Sequence, residues 1–151
     1  MIDRRGLLAA LTLGVGAGGE VLAATKLETV EVVTGRGRAR FLVEIAATPA
    51  QQKQGLMFRK SLAPDRGMLF TYERPQPAAY WMKNTLIPLD IIYIAPNGTV
   101  LSIIRNARPH DETPLPSGGM ILGVLEIAGG RAAQLGILPG DRVLHRIFPK
   151  T

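Results

Sequence analysis

The stretch LDIIYIAPNGTVLSIIRNA, residues 89–107, consists of two apolar runs separated by a turn sequence. β-Branched residues recur in both runs, and such residues favour β-strands. Between the runs, Asn97 and Gly98 tolerate the positive φ angles that a two-residue hairpin turn requires. The stretch therefore predicts two antiparallel strands, residues 89–95 and 99–107, joined by a tight turn.

Strand patterns continue on both sides of this hairpin. Residues 28–34 and 38–46 alternate apolar and polar side chains around a glycine-containing turn, and they predict a second hairpin. Further strands are predicted at residues 67–72, 79–83, 120–128 and 141–148, with the turn-forming sequence ERPQP, residues 73–77, between the first two. This pattern predicts a mainly β fold, a compact antiparallel β-barrel or sandwich.

Two short helices and one long loop complete the predicted elements. Thr48 is a typical N-cap residue, and Pro49 suits the first position of a helix that ends at Gly55. Residues 130–135 predict a second short helical turn. The sequence RPHDETPLPSGG, residues 108–119, predicts a polar, proline-rich loop of the kind that often carries function.

The first 24 residues predict a cleavable export signal. Arg4 and Arg5 precede an apolar stretch at residues 7–15, and small residues follow before position 25. The apolar stretch is too short to cross a bilayer, which requires about 20 residues. The arginine pair resembles a twin-arginine signal, and the general secretory route stays open as an alternative. We therefore expect a periplasmic or secreted protein in which residues 25–151 form a single domain.

The composition excludes several classes of function. The chain has no cysteine, which excludes thiol catalysis and thiolate metal sites. Its net charge of +6 is spread along the sequence and aromatic residues make up only 5%, whereas nucleic-acid binding requires clustered basic residues and stacking aromatics. His110 and His145 have no second ligand at a metal-binding spacing. The sequence therefore predicts no nucleic-acid partner, no membrane span, no metal and no cofactor.

Three charged residues interrupt runs that otherwise predict burial. Lys83 and Asp90 lie in YWMKNTLIPLDIIYI, residues 80–94, and Glu126 lies in the strand predicted at residues 120–128. A charge that is removed from water needs a partner, and one lysine with two carboxylates is a natural group. Two interpretations stay open: a structural ion network, or polar side chains that line a ligand-binding cleft.

The second interpretation defines a candidate binding site. If residues 80–84 are extended, Trp81 and Lys83 share one face of the strand. Trp81 offers a flat apolar surface and Lys83 offers a charge, a combination that suits a small anionic or carbohydrate-like ligand. The candidate ligand-binding residues are Arg59, Trp81, Lys83, Asn84, Asp90 and Glu126.

Five segments of the chain resemble, in the same order, the signatures of one known family. They are GLMFRKSL (55–62), GMLF (67–70), YWMKNTLIPLDIIYI (80–94), VLEIAGG (124–130) and LGILPGD (135–141). The family they resemble is the "domain of unknown function 192" family. This resemblance implies a compact, mostly β domain that is frequent in exported bacterial proteins and in archaea. It implies no activity and no catalytic residue.

Two alternative functions compete with simple ligand binding. A small hydrolase would use His110 as its base, with Asp111 or Glu112 beside it in the polar loop. A Cu(I)-binding protein would use thioether sulfurs, which are soft ligands, although methionine also fills gaps in apolar cores. The methionines concerned are Met57, Met68, Met82 and Met120.

The function expected first is a non-enzymatic one. No serine lies in the glycine-flanked turn of a hydrolase nucleophile, and adjacent residues of one loop rarely point at a single atom. The sequence therefore favours an exported ligand-binding or accessory module of the cell envelope. It does not define the ligand or the oligomeric state.

Overall fold

The structure is a computed structural model, and it describes residues 26–150. The predicted export signal lies outside the described residues. Seven strands and two short helices occur in the described part of the chain. They are β1 (Leu27–Thr34), β2 (Gly37–Ala46), α1 (Pro49–Gln54), β3 (Arg66–Tyr80), β4 (Leu89–Ile94), β5 (Val100–Ala107), β6 (Leu115–Ala128), α2 (Arg131–Leu135) and β7 (Arg142–Leu144).

All seven strands belong to one curled sheet with the order β5-β4-β6-β3-β2-β1-β7. Neighbouring strands are antiparallel, except that β2 and β3 are parallel. The two ends of the sheet approach each other, since Thr99 bridges to Arg142 and the Val143 amide donates to the Gly98 carbonyl at 2.8 Å. The predicted mainly β fold with two short helices is confirmed. No helix among residues 26–150 is both long enough and apolar enough to cross a membrane.

The two faces of the sheet bury two separate cores. The first core contains residues from all seven strands, such as Phe41 and Leu125. The second core covers the opposite face of β3, β4 and β6, where Met68 and Ile91 pack beneath the loops that carry Leu56. Because side chains alternate between the two faces of a strand, adjacent residues of one strand enter different cores.

Local sequence chemistry explains the elements that were predicted correctly. Asn97 and Gly98 lie in the predicted turn between β4 and β5, but the turn is not the expected two-residue one: the Gly98 amide donates to the Ala95 carbonyl at 2.9 Å, and of the two residues only Gly98 has a positive φ, of 86°. The Thr48 hydroxyl accepts from the Gln51 amide at 3.2 Å, and the Gln51 side chain accepts from the Thr48 amide at 3.1 Å. This reciprocal cap fixes the start of α1, and Gly55 ends the helix as predicted.

Strands β3, β6 and β7 differ from the prediction in their bounds. ERPQP does not separate two strands, because β3 continues through it to Tyr80 with an irregular register between Thr71 and Gln76. The long strand β6 supplies the partner for this extension, since Leu115 pairs with Tyr80. The last strand is only three residues long, because the chain turns after Leu144.

Candidate functional site

A cleft of about 180 Å³ opens where α1, the end of β3 and the loop after β3 meet, above the second core. Its base is formed by Glu126, and we refer to it as the Glu126 cleft. Four aromatic residues line it: Phe70, Tyr72, Tyr80 and Trp81. Two lysines, Lys53 and Lys83, also line it.

Glu126 is the most unusual residue of the cleft. It lies on the central strand β6, opposite Met68 of β3 and Ile91 of β4, so apolar side chains flank it on both sides. Its side chain is only 5% exposed, and no side-chain hydrogen bond of Glu126 is found among residues 26–150. Because no fully enclosed side-chain nitrogen or oxygen in this part of the chain lacks a partner, the Glu126 oxygens open onto the cleft. Desolvation raises the pKa of Glu126 to about 8. The carboxyl group is therefore mostly neutral at pH 7 and is free to bond a molecule in the cleft.

Three tyrosines form a connected group beside Glu126. The hydroxyls of Tyr72 and Tyr80 are hydrogen-bonded at 2.6 Å, and the Tyr80 ring stands edge-on to Phe70 and to Tyr93. The Tyr93 hydroxyl donates to the Leu115 carbonyl. Burial raises the pKa of each tyrosine, to about 12 for Tyr93. These hydroxyls therefore stay protonated at neutral pH.

The mouth of the cleft carries positive charge. The Lys83 ammonium lies 5.1 Å from the centre of the Trp81 ring and 3.9 Å from a Glu112 oxygen. Its side chain is 44% exposed. Lys53, in the last turn of α1, is also exposed. The cleft thus has a neutral acid at its base, aromatic walls and two cations at its opening.

The loops around the mouth are held together by backbone hydrogen bonds. The Phe58 amide donates to the Asn84 carbonyl at 2.8 Å, and the His110 amide donates to the Thr85 carbonyl at 3.1 Å. Phe58, Asn84 and His110 all have left-handed φ angles, of 64°, 52° and 65°. For a bulky residue such as Phe58 this conformation is strained, and strained residues cluster at functional sites.

Three of the six candidate ligand-binding residues, Trp81, Lys83 and Glu126, line this one cleft. Asn84 lies beside it, where its amide nitrogen is 4.0 Å from the Met57 sulfur. Its backbone carbonyl joins two loops by accepting from the Phe58 amide, and Asn84 is not among the residues that line the cleft.

Arg59 occupies a neighbouring depression of about 170 Å³. Its guanidinium makes two hydrogen bonds to the Glu44 carboxylate, at 2.7 and 3.1 Å. This depression shares only Gln54 and Gly55 with the Glu126 cleft. Arg59 therefore lines this neighbouring depression and is not among the residues that line the Glu126 cleft.

Asp90 faces the opposite side of the sheet from Glu126. It pairs with Ile127 across β4 and β6, whereas Glu126 pairs with Ile91, so the two carboxyl groups point away from each other. Its oxygens accept from the backbone amides of Asn106, Gly130 and Ala132 at 2.8, 3.1 and 2.8 Å. Asp90 is therefore a structural acceptor that fixes the start of α2 and the end of β5.

Lys83, Asp90 and Glu126 do not form an ion network. The strand prediction for residues 79–83 placed Lys83 in an extended buried run, but β3 ends at Tyr80 and Lys83 lies in the turn that follows. The closest carboxylate to Lys83 in the described structure is that of Glu112, at the surface. The expectation that Lys83 is buried is corrected accordingly.

Replacement of Lys83 with methionine is expected to change the free energy of unfolding by no more than about 1 kcal/mol, because exposed ion pairs and exposed cation–π contacts are weak. Urea unfolding of Lys83→Met beside the exposed control Lys60→Met measures this. A loss of several kcal/mol, seen with Lys83→Met alone, would show that the lysine neutralises a buried acid.

The candidate list omitted Tyr72, Tyr80 and Thr85, which also line the cleft. Phe70 and Tyr72 are two positions apart on β3, so strand alternation places them on one face. Their proximity to Glu126 depends on the pairing of β3 with β6, which no local pattern reveals.

The residues proposed for a hydrolase site and for a Cu(I) site do not lie together in the structure. The exposed His110 ring makes no hydrogen bond to Asp111 or Glu112 among the described contacts, since Asp111 accepts from the Thr113 amide and Glu112 lies near Lys83. Met68 and Met82 are buried in the second core, whereas Met120 is 50% exposed. Within residues 26–150, no three His, Asp or Glu side chains are grouped as metal ligands.

Comparison with known proteins places the chain among uncharacterised relatives. The profile of the DUF192 family, described as an uncharacterized ACR, matches residues 31–145. None of the curated proteins matches the chain significantly. A crystal structure of a protein of unknown function from Novosphingobium aromaticivorans is similar, with 47% identity, a TM-score of 0.80 and coverage of 83% of this chain and 89% of that one. A Sinorhizobium meliloti protein, provisionally described as a transcription regulator, is 42% identical with a TM-score of 0.77, over 80% of this chain and 95% of that one.

Proposed function

The chain belongs to the DUF192 family, and because that family is uncharacterised, we propose from the geometry of the cleft that the protein is a non-enzymatic module that binds a small polar molecule. The observation that carries the proposal is the carboxyl of Glu126, which is nearly buried, opens onto the cleft and has no hydrogen-bond partner among residues 26–150. Buried polar groups are almost always hydrogen-bonded, so an unpartnered one in a cleft suits a ligand.

The lining supports binding rather than catalysis. Glu126 is the only acidic residue among the described residues that line the cleft, and no histidine lies beside it. Acid–base catalysis generally needs a second positioned group with a different proton affinity. The tyrosines beside Glu126 hold their protons tightly, so they act as hydrogen-bonding groups and not as bases.

The lysines at the mouth of the cleft favour a ligand that carries an anionic group. Lys53 and Lys83 both line the cleft and are open to solvent, so a carboxylate or similar group entering it meets positive charge. Trp81 offers apolar contact for the ligand body, although Lys83 already lies over one ring face. This arrangement suits a small anionic ligand and also admits a carbohydrate-like one.

We place this binding function outside the cytoplasm, in the periplasm or secreted. This part of the proposal rests on the arginine pair and the apolar stretch at residues 7–15. The description of the Sinorhizobium relative raises a nucleic-acid role, which is not part of the proposal. Half of the eight aromatic residues line the concave cleft, and the basic residues are scattered, whereas nucleic-acid binding needs them clustered.

Trp81 makes the proposal directly testable, because it is the only tryptophan of the chain and it lines the cleft. Residues 25–151 would be titrated with monosaccharides, sugar acids, dicarboxylates and amino acids while tryptophan fluorescence is recorded. We expect at least one compound to give a saturable change that Glu126→Gln weakens at least tenfold. The matched control Glu73→Gln, an exposed acid outside the cleft, should bind normally. The absence of saturable binding by every compound would overturn the proposal.

A further inference from the structure

The Glu126 cleft combines two features that recognise a cation. Four of the eight aromatic residues of the chain line it, and at its base lies Glu126, a nearly buried acid that has no hydrogen-bond partner among residues 26–150. Aromatic ring faces attract ammonium groups, and they do so more strongly when water is excluded. An ionised carboxylate in such a place needs a counter-charge from the ligand.

The groups that face Glu126 do not supply this counter-charge. On β3 it faces Met68 and, nearby, the hydroxyls of Tyr72 and Tyr80, and on β4 it faces Ile91 and the Tyr93 ring. The two basic residues of the lining belong to other elements, Lys53 to α1 and Lys83 to the turn after β3. Lys83 is directed to Glu112 and Trp81 and forms no ion pair with Glu126.

The mouth of the cleft favours an anionic group on the ligand, whereas its base favours a cationic one. Lys53 and Lys83 repel a purely cationic ligand and attract a carboxylate. Leu56 and Met57 also line the cleft and offer it apolar surface. A ligand that satisfies all three regions carries an ammonium group, a carboxylate and an apolar side chain.

We propose that the Glu126 cleft binds an α-amino acid with an apolar side chain, with its ammonium group at Glu126 and its carboxylate near Lys53 and Lys83. This inference rests on the proposed function, because it names the ligand class of the same cleft. The apolar side chain contacts Leu56 and Met57.

Binding of an ammonium group has a defined proton balance. The neutral Glu126 carboxyl releases its proton to solvent, and the resulting carboxylate pairs with the ligand ammonium, which keeps all its protons. Since Glu126 is mostly neutral at pH 7, close to one proton leaves per ligand bound. The affinity therefore rises about tenfold per pH unit as the pH increases toward 8.

Three matched compounds test the ligand class by Trp81 fluorescence. L-Leucine has both charged groups, 4-methylpentanoate lacks the amine, and 3-methylbutylamine lacks the carboxylate. We expect L-leucine to bind at least tenfold more tightly than either of the others at pH 7. Glu126→Gln should abolish the advantage of L-leucine over 4-methylpentanoate, and Lys83→Gln should reduce its advantage over 3-methylbutylamine. Glu73→Gln and Lys150→Gln are the matched controls outside the cleft.

The pH profile of the unmodified protein gives a readout that needs no variant. Calorimetry in two buffers of different ionisation enthalpy should show release of nearly one proton per L-leucine at pH 7. Tighter binding of 4-methylpentanoate or of a sugar acid, with affinity that falls as the pH rises through 8, would overturn the inference and leave the proposed function intact. Failure of every compound to bind would overturn both.

Discussion

Replacement of Asp90 with alanine is expected to lower the free energy of unfolding by about 3–5 kcal/mol. This is the largest loss of stability that we expect from a single substitution in this protein. The Asp90 side chain is fully buried, and its two oxygens accept three backbone hydrogen bonds. Alanine would leave the amides of Asn106, Gly130 and Ala132 without an acceptor. Donors without partners are costly where water cannot reach them, as at the fully buried Ala132 amide, and the Asn106 and Gly130 amides are partly buried.

Urea unfolding at pH 7 measures this effect. Asp65→Ala is the matched control, because Asp65 is exposed and its side chain makes no hydrogen bond in the described structure. Asp90→Asn preserves the side-chain volume but replaces one acceptor with a donor. If Asp90→Asn loses nearly as much free energy of unfolding as Asp90→Ala, the effect comes from the hydrogen bonds and not from a cavity. A loss below about 1 kcal/mol in Asp90→Ala would contradict the structural role. Ligand binding by any folded fraction should be unchanged.

For Asp90, the sequence predicts the face of the strand but not the hydrogen-bond partners. The alternation of β4 predicts that Asp90 shares a face with Ile92 and Ile94, and this is the face that enters the first core. Its partners are backbone amides from β5 and from the start of α2, up to 42 positions away in the chain. No residue type marks a backbone donor, so the sequence suggested Lys83 as the partner.

Elements that depend on neighbouring residues were predicted, whereas those that depend on distant pairing were not. The Asn97-Gly98 turn and the Thr48 cap are determined within a few residues. The continuation of β3 through ERPQP depends on the first half of β6, which supplies a pairing partner despite the two prolines. The end of β3 at Tyr80 then removes Lys83 from the core and places it at the mouth of the Glu126 cleft.

Replacement of Glu126 with glutamine is expected to remove a pH dependence of stability on the order of 3 kcal/mol between pH 5 and 8. Burial raises the folded-state pKa of Glu126 to about 8 from its usual 4.5. The folded protein therefore holds a proton that the unfolded chain loses across this window. The stabilisation is complete below the unfolded pKa and is lost as the pH rises through the folded pKa, so the unmodified protein weakens with increasing pH.

Glutamine has nearly the same shape as the protonated acid and never ionises, so Glu126→Gln should match the unmodified protein near pH 5 and exceed its stability at pH 8. Urea unfolding at several pH values measures the gap between the two proteins. His145, whose pKa burial lowers, adds an opposite slope near pH 6, but it does so in both proteins and cancels from the gap. Glu73→Gln should show no gap. A constant gap across the whole range would mean that the folded-state pKa of Glu126 is not raised, which would contradict the release of a proton on ligand binding.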